Sequence, residues 1–420
     1  MVCTDSSEYI AISKSIYNNC EIKKEDGDFN FRRLPGYPAF LSLCYKLLGQ
    51  DNIKKALYIQ VFLASFIPIL IFILSLVIFP NNLLLAQLSA IFSLFNLGFY
   101  VYSGVVLSDI LFLILFLIFL ILFYKNKYFL SGVILGLASL VRPVGVYLII
   151  IISIIIILFK KFNFKLKIKN IFKIFIPWVL IISPWLLRNF LLTGALFFHT
   201  LPGIHFLIYT AAYIKSDIEK IEYYEAKNIL LNKWEHDNQK AGLLENNINY
   251  DIKSCNIAEN ITKKYILNNK ILFLKYSLIN IFKTIFSLHS GTLIYWDSQE
   301  LPNYTSKTSF LDKIKRFLFP KINNKFLYFI IYLEILFLFL LLLGFSLFIL
   351  KILYYKKNLN LILNILLFVL LFVSITLAYG CARLRLPVEI FLILFAVSYW
   401  LENFNNILKK LKFKNNKKGA

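Results

Sequence analysis

Carboxylates and arginines set at the polar edges of an otherwise apolar chain are where chemistry can reside. Asp5, Ser6, Ser7, Glu8 and Tyr9 form a short polar run just before the amphipathic stretch Ile10–Tyr17. A carboxylate there can act as a general base, because burial and neighbouring charge tune its pKa. It can equally be a solvated acid or a helix N-cap. Asp109 follows Ser108 and opens a long apolar run. An ionisable group at that depth is costly and marks a functional candidate, although an acid also suits a helix N-terminus.

The chain has 39 Lys but only 7 Arg, so the arginine positions stand out. Arg32 and Arg33 lead into Leu34-Pro35-Gly36-Tyr37-Pro38, a rigid cationic turn that enters an apolar helix. Arg142 precedes Pro143, Arg188 precedes Asn189, and Arg383 and Arg385 precede Leu386-Pro387. Arginine presents a planar fork that grips phosphate or carboxylate bidentately, which lysine does not. Interfacial anchoring is the plainer use of the same residues. Several Arg and two carboxylates on one membrane face suggest a lipid-phosphate site. Glu334 and Glu389 lie inside apolar runs, and Glu389 is placed to partner the Arg383/Arg385 pair.

The elements that must hold these groups are membrane helices. Of 420 residues, 59% are hydrophobic, with 42 Phe against 15 Gly, and mean hydropathy is +0.69. Soluble chains are nearer half apolar. The net charge is +23, but the lysines cluster beside apolar runs as cytoplasmic membrane edges do, which argues against a nucleic-acid partner. Five cysteines, at 3, 20, 44, 255 and 381, make no CxxC pair, so neither a zinc signature nor a disulfide framework is expected. Cys3 and Cys20 are not expected to pair. His199, His205, His236 and His289 form no HExxH, and no phosphate-binding glycine loop is present.

The fold class expected is all-α and polytopic, with about nine to eleven spans and an extracytoplasmic loop domain. Candidate spans fall at 57–79, 83–103, 109–124, 128–141, 143–159, 171–191, 326–350, 359–379 and 386–404. Pro143 breaks the pair 128–141 and 143–159. Residues 1–56 form a first outer loop, 57–191 a transmembrane core, 192–325 an outer region, 326–404 the last spans, and 405–420 a basic cytoplasmic tail. Lysine placement puts 104–108 and 380–385 on the same outer face. From Gly203 to Ile261 acidic residues outnumber basic ones nine to six. The stretch Tyr265–Phe286 is expected to lie flat at the interface as an amphipathic helix, with a further span as the alternative.

Taken in order, these motifs resemble the GT-C superfamily of integral-membrane glycosyltransferases, nearest to its protein mannosyltransferase and lipid A aminoarabinose transferase branch. They are Asp5 with Tyr9, Arg33 to Pro38, Ser108-Asp109, the glycine run from Gly132 to Pro143, Pro184 to Asn189, and Arg383 to Glu389. The resemblance implies sugar transfer from a polyprenyl-phosphate donor to an extracytoplasmic glycan, lipid or protein, with inversion. It implies Asp5 as general base and Arg33, with an Arg among 142, 188, 383 and 385, on the leaving lipid phosphate. Tyr9, Arg32 and Tyr37 are further substrate-binding candidates. Asp109 would orient the site or, with Asp5, hold a divalent cation such as Mg2+ or Mn2+; metal dependence stays open. Family members carry a spanning helix before the outer acid, so the full protein is expected to begin upstream. A transporter or flippase of lipid-linked sugars is the alternative; it would need no base, and the internal repeats common in transporters are not visible.

Overall fold

A computed structural model describes residues 4–243, 248–298, 321–355 and 359–416. Cys3, residues 299–320 of the outer region and the last four residues of the tail lie outside the described residues. Among the described residues the regular elements are helical. The first half holds α1 (Thr4–Asn19), α2 (Gly36–Leu48), α3 (Ile53–Ala64), α4 (Ile67–Ile78), α5 (Leu83–Ser93), α6 (Leu97–Ser103), α7 (Asp109–Tyr124), α8 (Tyr128–Val141), α9 (Val144–Phe159) and α10 (Phe164–Thr193). The second half holds α11 (Leu201–His205), which continues through a π-helical stretch into α12 (Ala212–Glu219), then α13 (Tyr223–Lys240), α14 (Tyr250–Asn268), α15 (Lys270–Phe286), α16 (Ser290–Ser298), α17 (Phe326–Tyr355), α18 (Leu359–Ile375) and α19 (Leu386–Asn416).

The centre of the molecule is α7. Its sequence is apolar on every side, and a helix of that kind must be enclosed. Phe112, Phe116, Phe119 and Phe123 are fully buried. The first turns of α19 are enclosed in the same way, from Leu386 to Val397, and Phe116 and Phe391 meet edge to face. Asp109 begins α7 and Arg383 lies just before α19, so packing these two helices brings their polar starts to one end of the core.

Two breaks set the remaining geometry. Arg142 is extended (φ −140°, ψ 138°) between α8 and α9, the conformation that a following proline favours. The broken pair therefore forms where Pro143 requires it. Gly132 and Gly136, four apart on α8, let α10 approach: a Cβ on Gly132 would sit 2.3 Å from the Ile174 carbonyl oxygen. This is the small-residue contact that membrane helices use to pack closely.

Among the described residues four elements are long and apolar enough to cross a bilayer: Ile53–Ile78, Phe164–Thr193, Phe326–Tyr355 and Ala382–Phe404. Two bent pairs, α5 with α6 (52°) and α15 with α16 (87°), raise the number to six if each is one span. The chain is thus a multi-pass membrane helical protein, with fewer full-length spans than the nine to eleven expected. The difference lies in α7, α8, α9 and α18, which have 14 to 17 residues. At about 1.5 Å per residue they rise roughly 21–26 Å, short of the ~30 Å hydrocarbon core. The expected span 83–103 is bent at Leu94–Asn96, and the expected interfacial helix is α15, joined to α16 by the sharper bend. Outside the spans, α11 to α14 enclose a small separate core built on Leu207, Leu230, Trp234, Ala258 and Ile261.

Candidate active site

Asp5 occupies the first turn of α1. The turn between α1 and α2 returns Arg33 to it, with Nη2 2.9 Å from Asp5 Oδ1. Arg33 also pairs with Glu8 through Nε, and its guanidinium lies over the Tyr9 ring at 5.2 Å. The turn is fixed by Asn30, whose amide donates to the Arg33 carbonyl at 2.7 Å and whose side-chain oxygen accepts from the Arg33 N–H at 3.1 Å. Gly36 lets α2 start directly against α8: a Cβ there would lie 2.7 Å from the Leu140 carbonyl carbon. That contact seats the turn beside Arg142.

Arg383 sits in a short 3-10 turn, Ala382–Arg385, just ahead of α19. Its Nη1 is 3.4 Å from Asp5 Oδ2 and its Nε 3.7 Å from Asp109 Oδ1. Arg142 completes the row by pairing with Asp109. Acids and arginines therefore alternate along one line: Glu8, Arg33, Asp5, Arg383, Asp109, Arg142. The six come from α1, the α1–α2 turn, the start of α7, the α8–α9 break and the turn before α19. Asp109 is enclosed, its side chain 2% exposed, while Asp5 and Arg383 keep 29% and 28%. The Asp5 end is open to a ligand and the Asp109 end is sealed.

Burial alone would raise the Asp5 carboxyl. The charges and hydrogen bonds of Arg33 and Arg383 outweigh that and hold it below its ordinary value of 3.8. Arg33 is also enclosed, which by itself would lower it. Tyr9, Asp5 and Glu8 more than compensate and keep it firmly protonated. Burial, reinforced by Arg33, pushes His205 below the usual imidazole range, so that it stands neutral.

The other sequence candidates are placed elsewhere. Arg188 donates to the Asn30 and Ile22 carbonyls at 3.2 and 3.1 Å and ties the α1–α2 loop to α10. Arg385 is enclosed. It pairs with Glu389 at 2.6 Å and donates to the carbonyls of Thr284, Ile285 and Ser287 at the end of α15. Arg32 turns away from Arg33 and pairs with Asp251 of α14 at 3.1 Å. The Tyr37 hydroxyl donates to Gln60 at 2.8 Å in the core. The Tyr9 hydroxyl faces Ser108 at 3.5 Å, beside the row.

A divalent cation was left open by the sequence, with Asp5 and Asp109 as ligands. Hard cations take six or more oxygens, whereas both carboxylates here face guanidinium groups that already neutralise them. Among the described residues no group of three or more His, Cys, Asp or Glu could hold a metal. As arranged, the donor set fits arginine and not a cation.

Sequence reasoning did not reach three features. Glu8 was seen only as part of a polar run, yet it ends the row. Asp251 is 219 positions from its partner Arg32, and nothing local marks it. His289 forms a buried polar knot at the α15–α16 bend: its Nε2 lies 2.9 Å from Glu389 Oε1, and Asn96 donates to the same carboxylate at 2.8 Å. Glu334 accepts from the N–H of Ser290 at 2.9 Å and from that of His289. A lone histidine before an apolar segment gives no warning of this.

No family model matches the chain, and no curated protein sequence matches it significantly. Its structure does have counterparts. The oligosaccharyltransferase of Archaeoglobus fulgidus, solved with a tethered acceptor peptide, superposes with a TM-score of 0.52 at 12% identity, over 95% of this chain and 45% of that one. The two folds are similar. The oligosaccharyltransferase AglB from the same organism, with an inhibitory peptide and a dolichol-phosphate, gives 0.46 at 12% identity, over 97% and 47%. ArnT from Cupriavidus metallidurans gives 0.36 at 11% identity, over 95% and 73%. The likeness is one of fold, it rests on the first superposition, and the chain spans less than half the length of the oligosaccharyltransferase. Within this frame the acid–arginine row lies where α1, α7 and α19 begin.

Proposed function

We propose that the protein transfers a sugar from a polyprenyl-phosphate donor to an acceptor hydroxyl on the extracytoplasmic face, by a single inverting displacement. One observation carries this reading. A half-open carboxylate, Asp5, pairs with two arginines, Arg33 and Arg383, and shares the second of them with a more enclosed acid–arginine pair behind it.

Arg33 and Arg383 are the grip for the donor phosphate, which matches their planar fork. Asp5 is the base. As the acceptor oxygen bonds to the anomeric carbon, its proton passes to an Asp5 carboxylate oxygen. The bond from that carbon to the phosphate oxygen breaks, and the electron pair leaves on the polyprenyl phosphate, where the guanidinium groups stabilise it. Attack from the face opposite the leaving group inverts the centre. Asp109 is a positioning residue that orients Arg142 and Arg383. Because phosphate and Asp5 compete for the same guanidinium groups, donor binding draws charge away from Asp5 and raises its basicity toward the working pH.

The test is transfer of radiolabelled sugar from polyprenyl-phosphate carriers in membranes that express the chain. Transfer by the wild type that disappears in Asp5→Asn supports the reading. Movement of donor across the bilayer without transfer, unaffected by Asp5→Asn, would replace it with the transporter.

A further inference from the structure

One turn along α1 from Asp5, a cavity of about 480 Å³ opens between α1 and the loop that follows it. Its size falls within the range of about 300–1,000 Å³ typical of small-molecule sites. Glu8 belongs to both places: it pairs with Arg33 in the row, and it lines the cavity. Three residues of helix rise about 4.5 Å, so the cavity begins about one helical turn from Asp5, with Glu8 between them.

The lining is of mixed sign. Glu8, Glu25 and Asp26 face Lys24 and Arg32, Asn30 adds an amide, and Ala11 and Ile12 of α1 form an apolar floor. The two cations are held in place from outside. Asp251, 3% exposed, takes Arg32 Nε at 3.1 Å and Lys24 Nζ at 3.2 Å. Arg32 offers Asp251 its Nε, and among the described residues its two terminal amino groups hold no partner. A cavity with acids and bases in near balance favours neither a phosphate nor an ammonium. It suits groups that donate and accept at once, which hydroxyls do, and the apolar floor suits the C–H face of a sugar ring.

We propose that this cavity is the acceptor subsite and that the acceptor presents a sugar, with Arg32, Glu8 and Glu25 binding its hydroxyls and Ala11 and Ile12 lying under its ring. The proposal rests on the transferase reading for its role but not for the binding itself.

The test is saturation-transfer NMR of methyl hexosides and a disaccharide against the purified full chain in micelles, beside a Ser/Thr peptide. The wild type and Asp5→Asn should bind the sugars alike. Ala11→Trp, which fills the cavity, should weaken binding at least tenfold, and Glu25→Gln, which adds no bulk at an exposed position, by roughly three- to tenfold. In transfer assays the same two variants should raise the acceptor KM and leave the donor KM unchanged. Sugar binding untouched by both variants, or binding of the peptide alone, overturns the proposal. Sugar binding lost in both variants with no transfer by the wild type upholds the cavity and removes the transferase reading.

Discussion

Asp5 and Asp109 meet on a single guanidinium: Arg383 places Nη1 3.4 Å from Asp5 Oδ2 and Nε 3.7 Å from Asp109 Oδ1. One residue thereby couples the open end of the site to its enclosed end. Whatever anion enters must contend with Asp5 for Arg383, while Asp109 keeps the arginine from swinging out.

Removing the proposed base should separate chemistry from binding. Asp5→Asn should cut sugar transfer by about 10²–10⁴-fold, the usual contribution of a positioned base. Donor affinity should hold or improve, because the neutral amide no longer competes for Arg33 and Arg383. A kcat and donor KM measurement on both forms checks this, and an equal fall in affinity would count against Asp5 as base.

Arg383 should not tolerate lysine. A lysine carries one compact ammonium in place of a fork that spans two carboxylates. Arg383→Lys should lower kcat by roughly 10²–10³-fold, as loss of one oxyanion-type contact does. Near-wild-type turnover in Arg383→Lys would mean that charge alone suffices.

The Asp109 end should behave as a structural pair. Asp109→Asn leaves Arg142 facing a neutral amide in an enclosed place and should cost about 3–5 kcal/mol, the range for breaking a buried ion pair. The double change Asp109→Asn with Arg142→Gln should regain part of that stability without regaining turnover. Thermal unfolding in detergent, with activity measured alongside, distinguishes the two effects.

The pH response follows from the depressed Asp5 carboxyl. Its folded value lies below 3.8, so the stability it lends is fully present above about pH 4, where the unfolded carboxyl is also ionised, and is lost as pH falls through the folded value. In the free protein the acid limb of kcat/KM for donor should lie below about pH 4. Once the donor phosphate occupies Arg33 and Arg383, the limb of kcat should move to higher pH. Identical limbs in the two profiles would show that phosphate and Asp5 do not share these arginines.

Close backbone approach at the turn gives a steric test. Gly36→Ala would place a methyl group 2.7 Å from Leu140 backbone atoms, an overpacking worth about 1–3 kcal/mol. It should also displace Arg33 relative to Arg142, so turnover should fall further than stability alone explains. A loss of activity that tracks thermal stability would confine Gly36 to packing.

The sequence by itself determined the membrane class, the places where helices start and break, and which side chains were available for chemistry. Run length and hydropathy decide burial in a bilayer, and α8 ends at Pro143, whose ring disfavours the helical conformation at Arg142. Asp5, Asp109, Arg33, Arg142 and Arg383 were legible as candidates because charge is costly at the edge of an apolar run. Only the tertiary structure decided their partners. Arg385, Arg188 and Arg32 are the same residue type in similar settings, yet Glu389, the Asn30 and Ile22 carbonyls and Asp251 take them out of the row. Local sequence sets what a side chain can do, whereas ion pairing depends on distances of a few ångströms between segments hundreds of residues apart. Those distances are fixed by how α7, α8 and α19 pack.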